Sequence, residues 1–208
     1  SPAGGIYLSI LLRPRFQRLS LLPLAAGVAV AEAAAEVGLD VRLKWPNDVL
    51  VRGAAPDGAE AADGEVVLRK LAGILAEAAS GPAGTDWVVL GIGVNVSASS
   101  LPPEVAKSAA ALSEGAVSPP DVAAVTAAIV ARLRVWYDAL ASSPAAVVEA
   151  WRARALAWWG EPVAVRTAEA TLRGRLLGVD EEGALLIEAG GETHRLLSGE
   201  VARLRREG

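Results

Sequence analysis

The chain has 208 residues, of which 52% are hydrophobic and 21% are charged, and its formal net charge is −4. This length and composition predict one large folded domain, or one domain with a small partner. The acidic balance argues against broad nucleic-acid binding, and the lack of cysteine excludes disulfides, thiolate metal sites and cysteine nucleophiles.

The first predicted elements are a strand and a helix. Residues 6–13 are β-branched and aliphatic, which predicts a buried strand. Residues 20–37 are alanine-rich and stop before Gly38, a pattern typical of a helix closed by glycine. The apolar part of this segment is shorter than the roughly 20 residues that cross a bilayer, so a buried or amphipathic helix is the better interpretation.

A hairpin and two further strands follow. Residues 41–45 and 49–52 predict short strands joined by a turn at 46–48. Residues 53–64 are rich in Ala, Gly, Asp and Glu, and we expect an exposed, mobile loop there. Residues 66–79 and 87–96 predict strands, although both contain internal glycine, which weakens a strand.

The last part of the chain predicts two helices and a group of short strands. Ser118 is the expected cap of the first helix, with Pro119 and Pro120 in its first turn. The second helix is expected over residues 144–159, before Gly160. A small β-barrel is then predicted from four short strands at 163–166, 171–177, 184–188 and 192–197.

Lysine is rare in this chain, since Lys44, Lys70 and Lys107 are the only three among 20 Lys and Arg residues. Lysine is a compact charge that suits a phosphate or carboxylate oxygen. On a regular strand Lys70 and Ala72 would share one side of the sheet, and Leu71 would face the other. Gly73 would leave room for a ligand against the backbone, but an edge lysine beside a β-bulge is an equally simple alternative.

Gly91, Gly93 and Asn95 share one face at a spacing of two. That face would be a bare floor for a flat ligand, with the amide of Asn95 for polar recognition. The alternative is tight packing against a helix, with Asn95 capping a turn. The pattern is not a dinucleotide fingerprint, because the third glycine and the following helix are missing.

Two other polar features have simple structural explanations. Asn47 and Asp48 form a turn in which both side chains can bond their own backbone. His194 is the single histidine, so it cannot build a zinc site, and without an obvious carboxylate partner it gives only weak support to a Ser-His-Asp triad.

Three segments, taken in order, resemble the signature of bacterial biotin–protein ligases. They are Lys44-Trp45-Pro46-Asn47-Asp48, then Lys70-Leu71-Ala72-Gly73-Ile74-Leu75 with Glu77, then Gly91-Ile92-Gly93-Val94-Asn95-Val96. Residues 1–9 resemble the strand that opens the family's core. Residues 183–186 and 198–201 resemble parts of its C-terminal SH3-like domain, so the resemblance covers nearly the whole chain.

This family activates biotin with ATP to give biotinyl-5'-AMP and pyrophosphate, and then transfers biotin to a lysine of a carrier domain. The resemblance therefore implies that Lys70 is the catalytic cation near the biotin carboxylate and the α-phosphate. It also implies a biotin site made of Lys70, Gly73, Gly91 and Gly93. It implies nucleotide-binding roles for Asn47, Asp48, Asn95 and Arg205, with Asp48 also a ligand for Mg²⁺.

The resemblance implies an α+β fold, with a mixed, largely antiparallel sheet packed with helices and then a small SH3-like β-barrel. A catalytic domain at 1–160, incomplete at its N-terminus, would precede the SH3-like domain at 161–208. The implied substrates are biotin and ATP, with Mg²⁺. The implied partner is the biotin carboxyl carrier protein of an acetyl-CoA or acyl-CoA carboxylase, or of pyruvate carboxylase. We expect a cytoplasmic protein without a membrane partner, and an exposed sheet face or edge would also suit a homodimer.

The chain departs from the family pattern in two places. The family's Arg-rich loop, which closes over biotin, would end just before Ser1, so we expect the chain by itself to be inactive. The link over residues 53–69 is longer than usual. Two alternatives remain, namely a non-catalytic binder of biotin or biotinyl-AMP that lacks this loop, and a lipoate- or octanoate-transferring relative. The second is disfavoured because such relatives lack the Lys-Trp-Pro-Asn-Asp turn.

Overall fold

Two antiparallel five-stranded sheets and three helices make up the computed structural model, which describes residues 4–53, 67–81, 84–102, 104–105, 107–116 and 118–204. The strands of the first sheet are β1 (Gly5–Leu12), β2 (Val41–Lys44), β3 (Asp48–Gly53), β4 (Val67–Gly81) and β5 (Gly84–Asn95), in the order β1-β5-β4-β3-β2. The strands of the second are β6 (Pro162–Arg166), β7 (Thr171–Val179), β8 (Leu185–Ala189), β9 (Glu192–Leu196) and β10 (Glu200–Arg203), in the order β10-β6-β7-β8-β9. The helices are α1 (Leu22–Glu36), α2 (Val122–Ser142) and α3 (Pro144–Arg154).

Alternating side chains give the first sheet one buried face and one open face. On β5, Val88, Leu90, Ile92 and Val94 are at most 2% exposed and belong to the same core as α1. Gly91 and Gly93, which alternate with them, are only partly buried. Because successive residues of a strand point to opposite sides, the glycines lie on the face that α1 does not cover.

The helix expected over residues 20–37 is confirmed as the core helix α1. Eleven of its 15 residues are buried, most of them alanine, valine or leucine. With the turn before it, Leu19–Glu36 is the one helical stretch in the described part of the chain that is long and apolar enough to cross a membrane. The fold buries 67% of that stretch, as expected for a helix packed inside a core.

A β-bulge interrupts the pairing of β3 with β4. Val49 pairs with Ala72 and Leu50 pairs with Lys70, which leaves Leu71 without a partner on β3. Leu71 and Ala72 are consecutive, yet both are at most 2% exposed. The expectation that Ala72 shares a face with Lys70, opposite Leu71, is therefore wrong, because the bulge breaks the alternation. Lys70 instead shares the open face with Gly73.

The start of α2 differs from the prediction. Asp121, rather than Ser118, caps the helix, since its Oδ1 accepts a hydrogen bond from the amide of Ala123 at 2.9 Å. Pro119 and Pro120 precede the helix instead of forming its first turn. An aspartate before the first turn satisfies a free amide and also favours the positive end of the helix dipole.

The second helix is shorter than predicted. α3 ends at Arg154, and Ala155 is extended and forms a parallel bridge with Leu43 on β2. The amide of Leu156 then donates to the carbonyl of Leu43 at 2.9 Å. Pairing with the sheet edge therefore ends the helix well before Gly160.

The second sheet contains the four predicted strands and adds β10, which pairs with β6. The predicted α+β class is confirmed. The first sheet is largely antiparallel, with isolated parallel bridges at Leu43 and Lys70. Residues 54–66, which include most of the predicted loop at 53–64, lie outside the described residues.

Candidate functional site

Five residues, one from each strand of the first sheet, form a row across its open face. They pair in the order Tyr7, Gly93, Gly73, Asp48, Lys44. Residues that pair directly across strands point to the same side of the sheet. The fold therefore brings three of the predicted site residues, Gly73, Gly93 and Asp48, into one line.

Gly93 of the row and Gly91, two residues before it on the same face of β5, leave open space above the sheet. A Cβ atom added to Gly93 would meet nothing closer than the carbonyl oxygen of Gly73, at 4.0 Å. One added to Gly91 would meet nothing closer than the carbonyl oxygen of Leu75, at 3.7 Å. No described helix packs against these positions, so the alternative of tight helix packing is wrong. Gly73, Gly91 and Gly93 will be called the glycine floor.

Lys70 and Asp48 form an ion pair at the edge of the glycine floor. Nζ of Lys70 lies 2.5 Å from Oδ1 of Asp48, and the two side chains are 50% and 21% exposed. A Cβ atom on Gly73 would be 3.1 Å from both Cε and Nζ of Lys70, so Gly73 makes room for the end of this lysine. The ammonium group is thus oriented by Asp48 yet remains open to an incoming anion.

The two asparagines expected near a nucleotide donate to backbone carbonyls. Nδ2 of Asn47 donates to the carbonyl of Ile74 at 2.7 Å, and this ties the turn to β4. Nδ2 of Asn95 donates to the carbonyls of Ala110 at 3.0 Å and Lys70 at 3.2 Å. Asn95 therefore supports the backbone of Lys70. Arg205 lies outside the described residues.

Residues 108–111 form a part of the site that sequence reasoning missed. The amide of Lys70 donates to the carbonyl of Ser108 at 2.7 Å, and the amide of Ala110 donates to the carbonyl of Lys70 at 2.9 Å. The segment takes the place of β5 beside β4 after β5 has ended at Asn95. An alanine run within an irregular stretch has no periodicity that could have indicated this pairing.

An open cavity of about 160 Å³ lies between this segment and the start of β1. Its lining includes Gly5, Tyr7, Asn95, Val105 and Ala109. Tyr7 is 57% exposed and also belongs to the row, so the cavity adjoins the glycine floor. Sequence reasoning gave Tyr7 no role, because it reads as an ordinary member of an apolar strand.

The turn before β3 joins the site to the second sheet. Nε1 of Trp45 donates a buried hydrogen bond to the carbonyl of Gly183 at 2.9 Å. The hydroxyl of Ser20 donates to the carbonyl of Glu182 at 2.6 Å. Gly183 has φ +83°, and a Cβ there would lie 3.0 Å from Leu21, so glycine suits this contact in both conformation and size.

The described residues contain no group of three His, Asp or Glu side chains that could hold a metal ion. Asp48 is the carboxylate of the row, and it faces Lys70. A metal at this point would need most of its oxygen ligands from a bound substrate.

Comparison with known proteins gives family matches for two segments of the chain. Residues 1–95 match the biotin/lipoate A/B protein ligase family, and residues 159–204 match the biotin protein ligase C-terminal domain. The biotin–[acetyl-CoA-carboxylase] ligase of Paracoccus denitrificans is 32% identical over 197 residues, which are 89% of this chain and 75% of that protein. The bifunctional ligase/repressor BirA of Bacillus subtilis is 30% identical over 204 residues, which are 95% of this chain but 58% of that protein.

Solved structures agree with these matches. The crystal structure of biotin protein ligase from Aquifex aeolicus has a TM-score of 0.78 and 28% identity, over 97% of this chain and 83% of that one. The Aquifex protein in complex with biotin and ATP has a TM-score of 0.75 and 29% identity, over 97% and 79% of the two chains. The expected SH3-like type of the C-terminal domain is confirmed.

Proposed function

Because the chain belongs to the biotin protein ligase family, we propose that it carries the ATP-dependent ligation of biotin to a biotin carboxyl carrier protein. The observation that carries the proposal is the Lys70 ammonium, held by Asp48 at the edge of an open glycine floor. The names of two relatives support it. One is a biotin–[acetyl-CoA-carboxylase] ligase, and the other was solved with biotin and ATP.

In the first step, a carboxylate oxygen of biotin attacks the α-phosphorus of ATP. A P–O bond forms to biotin as the bond to pyrophosphate breaks, which gives biotinyl-5'-AMP and pyrophosphate. The reacting oxygens carry negative charge, so a fixed cation beside them stabilises the transition state. This is the role proposed for Lys70, and a charge-assisted hydrogen bond of this kind contributes roughly 1.5–3 kcal/mol.

In the second step, the amine of a carrier lysine attacks the biotinyl carbonyl. An amide bond forms, the bond from the biotinyl carbon to the phosphate oxygen of AMP breaks, and the amine gives up a proton to the solvent. Lys70 would remain beside the departing AMP phosphate and stabilise its charge. One side chain can therefore serve both steps without moving far.

In this proposal biotin lies on Gly91 and Gly93, with its carboxylate toward Lys70. The nucleotide occupies the cavity beside Asn95, where Asn95 and Ala109 form part of the lining. Asn47 would keep the turn in place, and Arg205 would approach the nucleotide from the C-terminal end. A flat ligand on an apolar, open floor with few polar groups is a common form of small-molecule site.

Mg²⁺ would be held by Asp48 together with phosphate oxygens of ATP. One carboxylate fits a site shared with a nucleotide but not one built by protein alone. The cation would supply charge neutralisation on the phosphates.

The carrier protein, the cellular compartment, the domain boundaries and a homodimer are also proposed. The carrier would belong to an acetyl-CoA or acyl-CoA carboxylase, or to pyruvate carboxylase, in the cytoplasm. Residues 1–160 would form the catalytic domain and residues 161–208 the SH3-like domain. A homodimer would use an edge of the first sheet.

Biotin-dependent exchange of pyrophosphate into ATP, measured on the full natural protein, tests this function. We expect exchange in the wild type and a loss of at least roughly 100-fold in Lys70→Ala, the effect typical of removing a group that stabilises transition-state charge. The Tm should change little, because the Lys70 side chain is half exposed. Arg173→Ala, an exposed cation on the second sheet, is the matched control and should keep full exchange.

The outcomes separate the candidate functions. If the wild type binds biotin but does not catalyse exchange, the ligase proposal fails and the non-catalytic binder is favoured. Near-normal exchange in Lys70→Ala would remove Lys70 from its central role while leaving the ligase in place.

A further inference from the structure

Arg69, the neighbour of Lys70, forms an ion pair with Glu114, which follows residues 108–111 in the chain. Nη2 of Arg69 lies 2.5 Å from Oε2 of Glu114, and their side chains are 16% and 26% exposed. Nη1 of Arg69 also donates to the carbonyl of Ala109 at 3.3 Å. The guanidinium therefore holds a carboxylate and a backbone oxygen at the same time.

Glu114 uses its second oxygen on the same segment. The amide of Ala111 donates to Oε1 of Glu114 at 2.8 Å. Asn95 holds the carbonyl of Ala110, which lies between the two positions. Three consecutive residues, 109 to 111, are thus each fixed by a different side chain.

This segment has no regular secondary structure through most of its length, so its shape depends on these bonds. Ala109 lines the cavity beside Asn95, while the carbonyl of Ser108 and the amide of Ala110 bond the backbone of Lys70. The segment is therefore the shared wall between Lys70 and the cavity. Any shift of residues 108–111 changes the distance between the two.

The Arg69–Glu114 ion pair contributes little net stability by itself. Partly buried charges lose hydration, and such pairs contribute more to defined geometry than to stability in several known cases. Nε of Arg69 is buried without a hydrogen-bond partner in the described structure, which adds a further cost. Gly53 leaves room for the guanidinium, since a Cβ there would lie 2.8 Å from Nε.

We propose that Arg69 and Glu114 are a positioning pair that fixes residues 108–111 and thereby sets the affinity for the nucleotide. The inference rests on the proposed function, because it takes the cavity beside Asn95 as the nucleotide site. Neither residue touches the reacting atoms. Their effect passes through the backbone of Ala109 and Ala111 to the cavity wall.

Steady-state kinetics of Arg69→Gln, Glu114→Gln and the double variant in the full natural protein test the pair. Loss of uniform binding raises KM without changing kcat, so we expect the KM for ATP to rise about tenfold in each single variant, with kcat and the KM for biotin within about twofold. The double variant should be little worse than the single ones, because residues that act as a unit are not additive.

Arg154→Gln is the matched control. It removes another partly buried ion pair, in which Nη2 of Arg154 lies 3.2 Å from Oε1 of Glu32, between α3 and α1, with side chains 35% and 19% exposed. We expect its KM for ATP to equal that of the wild type even if its Tm falls as far as that of Glu114→Gln. An equal rise in both KM values in Glu114→Gln, or no change in the KM for ATP, would overturn the inference.

A direct binding measurement separates this inference from the proposed function. If the wild type binds ATP by calorimetry but does not catalyse exchange, the ligase proposal fails. The positioning role of Arg69 and Glu114 can then still be tested, because Glu114→Gln should raise the Kd for ATP by about the same tenfold factor. Absence of ATP binding in the wild type would overturn both.

Discussion

Gly93 and Gly174 are both strand glycines, but their surroundings differ. A Cβ on Gly93 would have open space around it, whereas one on Gly174 would lie 2.2 Å from the carbonyl oxygen of Glu188. Gly174 is therefore required by the chain's own packing. Gly93 is not required by any described contact, which fits the biotin floor proposed above.

Gly93→Ala should separate function from stability. Alanine is favoured over glycine within a strand, so we expect the free energy of unfolding to stay the same or rise by about 0.5–1 kcal/mol. The added methyl group occupies the floor, so the KM for biotin should rise by at least about tenfold. Denaturant unfolding and exchange kinetics measure the two effects.

Gly174→Ala is the companion variant, and it should lose stability without a specific change in the KM for biotin. A Gly93→Ala protein that unfolds more easily but binds biotin normally would show that Gly93 is structural.

The turn between β7 and β8 depends on one carboxylate. Burial is the largest single influence on the pKa of Asp180 and raises it, but hydrogen bonds from Arg195 and from the amides of Ala184 and Glu182 together lower it below the ordinary value of 3.8. The same turn presents Gly183 to Trp45. The charge state of Asp180 therefore affects the contact between the two sheets.

Asp180→Asn should reduce stability at neutral pH but not in acid. A pKa that folding lowers contributes stability that is present above the unfolded value and is lost as the pH falls through the folded value. The wild type should therefore exceed the variant in free energy of unfolding at about pH 7, and the gap should shrink by about pH 3. Denaturant unfolding at both values checks this, and a gap that stays constant would contradict it.

Most of the secondary-structure elements could be predicted from the sequence alone, but some of their contacts could not. Hydrophobic periodicity and glycine signals predicted the core helix and nine of the ten strands in the described part of the chain, because both patterns are local. The bulge at Leu71 and the pairing of 108–111 with Lys70 could not be predicted, since both depend on a partner strand distant in sequence. Arg69 and Glu114 were missed for the same reason. The Asp48–Lys70 ion pair was predicted only in part. The family resemblance gave each residue a role, but it did not predict that the two are in contact.

At the scale of the whole molecule, Trp45 connects the two sheets from within the turn that leads to Asp48. Its indole is 4% exposed and its Nε1 donates to the carbonyl of Gly183. The turn between β7 and β8 thus contacts the side chain of a residue that is only three positions before the site residue Asp48. We therefore expect the packing of the second sheet to affect the shape of the site.

Trp45→Phe should destabilise the protein while keeping an aromatic ring in place. The carbonyl of Gly183 would lose its partner in a buried position, which costs about 1–3 kcal/mol. Trp159→Phe is the control, because Trp159 is 39% exposed and donates no hydrogen bond to a described residue. Urea denaturation should show a clear loss for Trp45→Phe alone, and equal effects in both variants would argue against the importance of this bond.

The row from Tyr7 to Lys44 also has a consequence for how the molecule folds. The row contains one residue from each of five strands, and Tyr7 must pair with Gly93, which is distant from it in sequence. Such long-range pairings are slow to form, and a slip of one residue in β5 would bring an aliphatic side chain to the position of Gly93. During refolding, the capacity to bind a ligand should therefore emerge last, as a kinetic marker that every strand has reached its correct register.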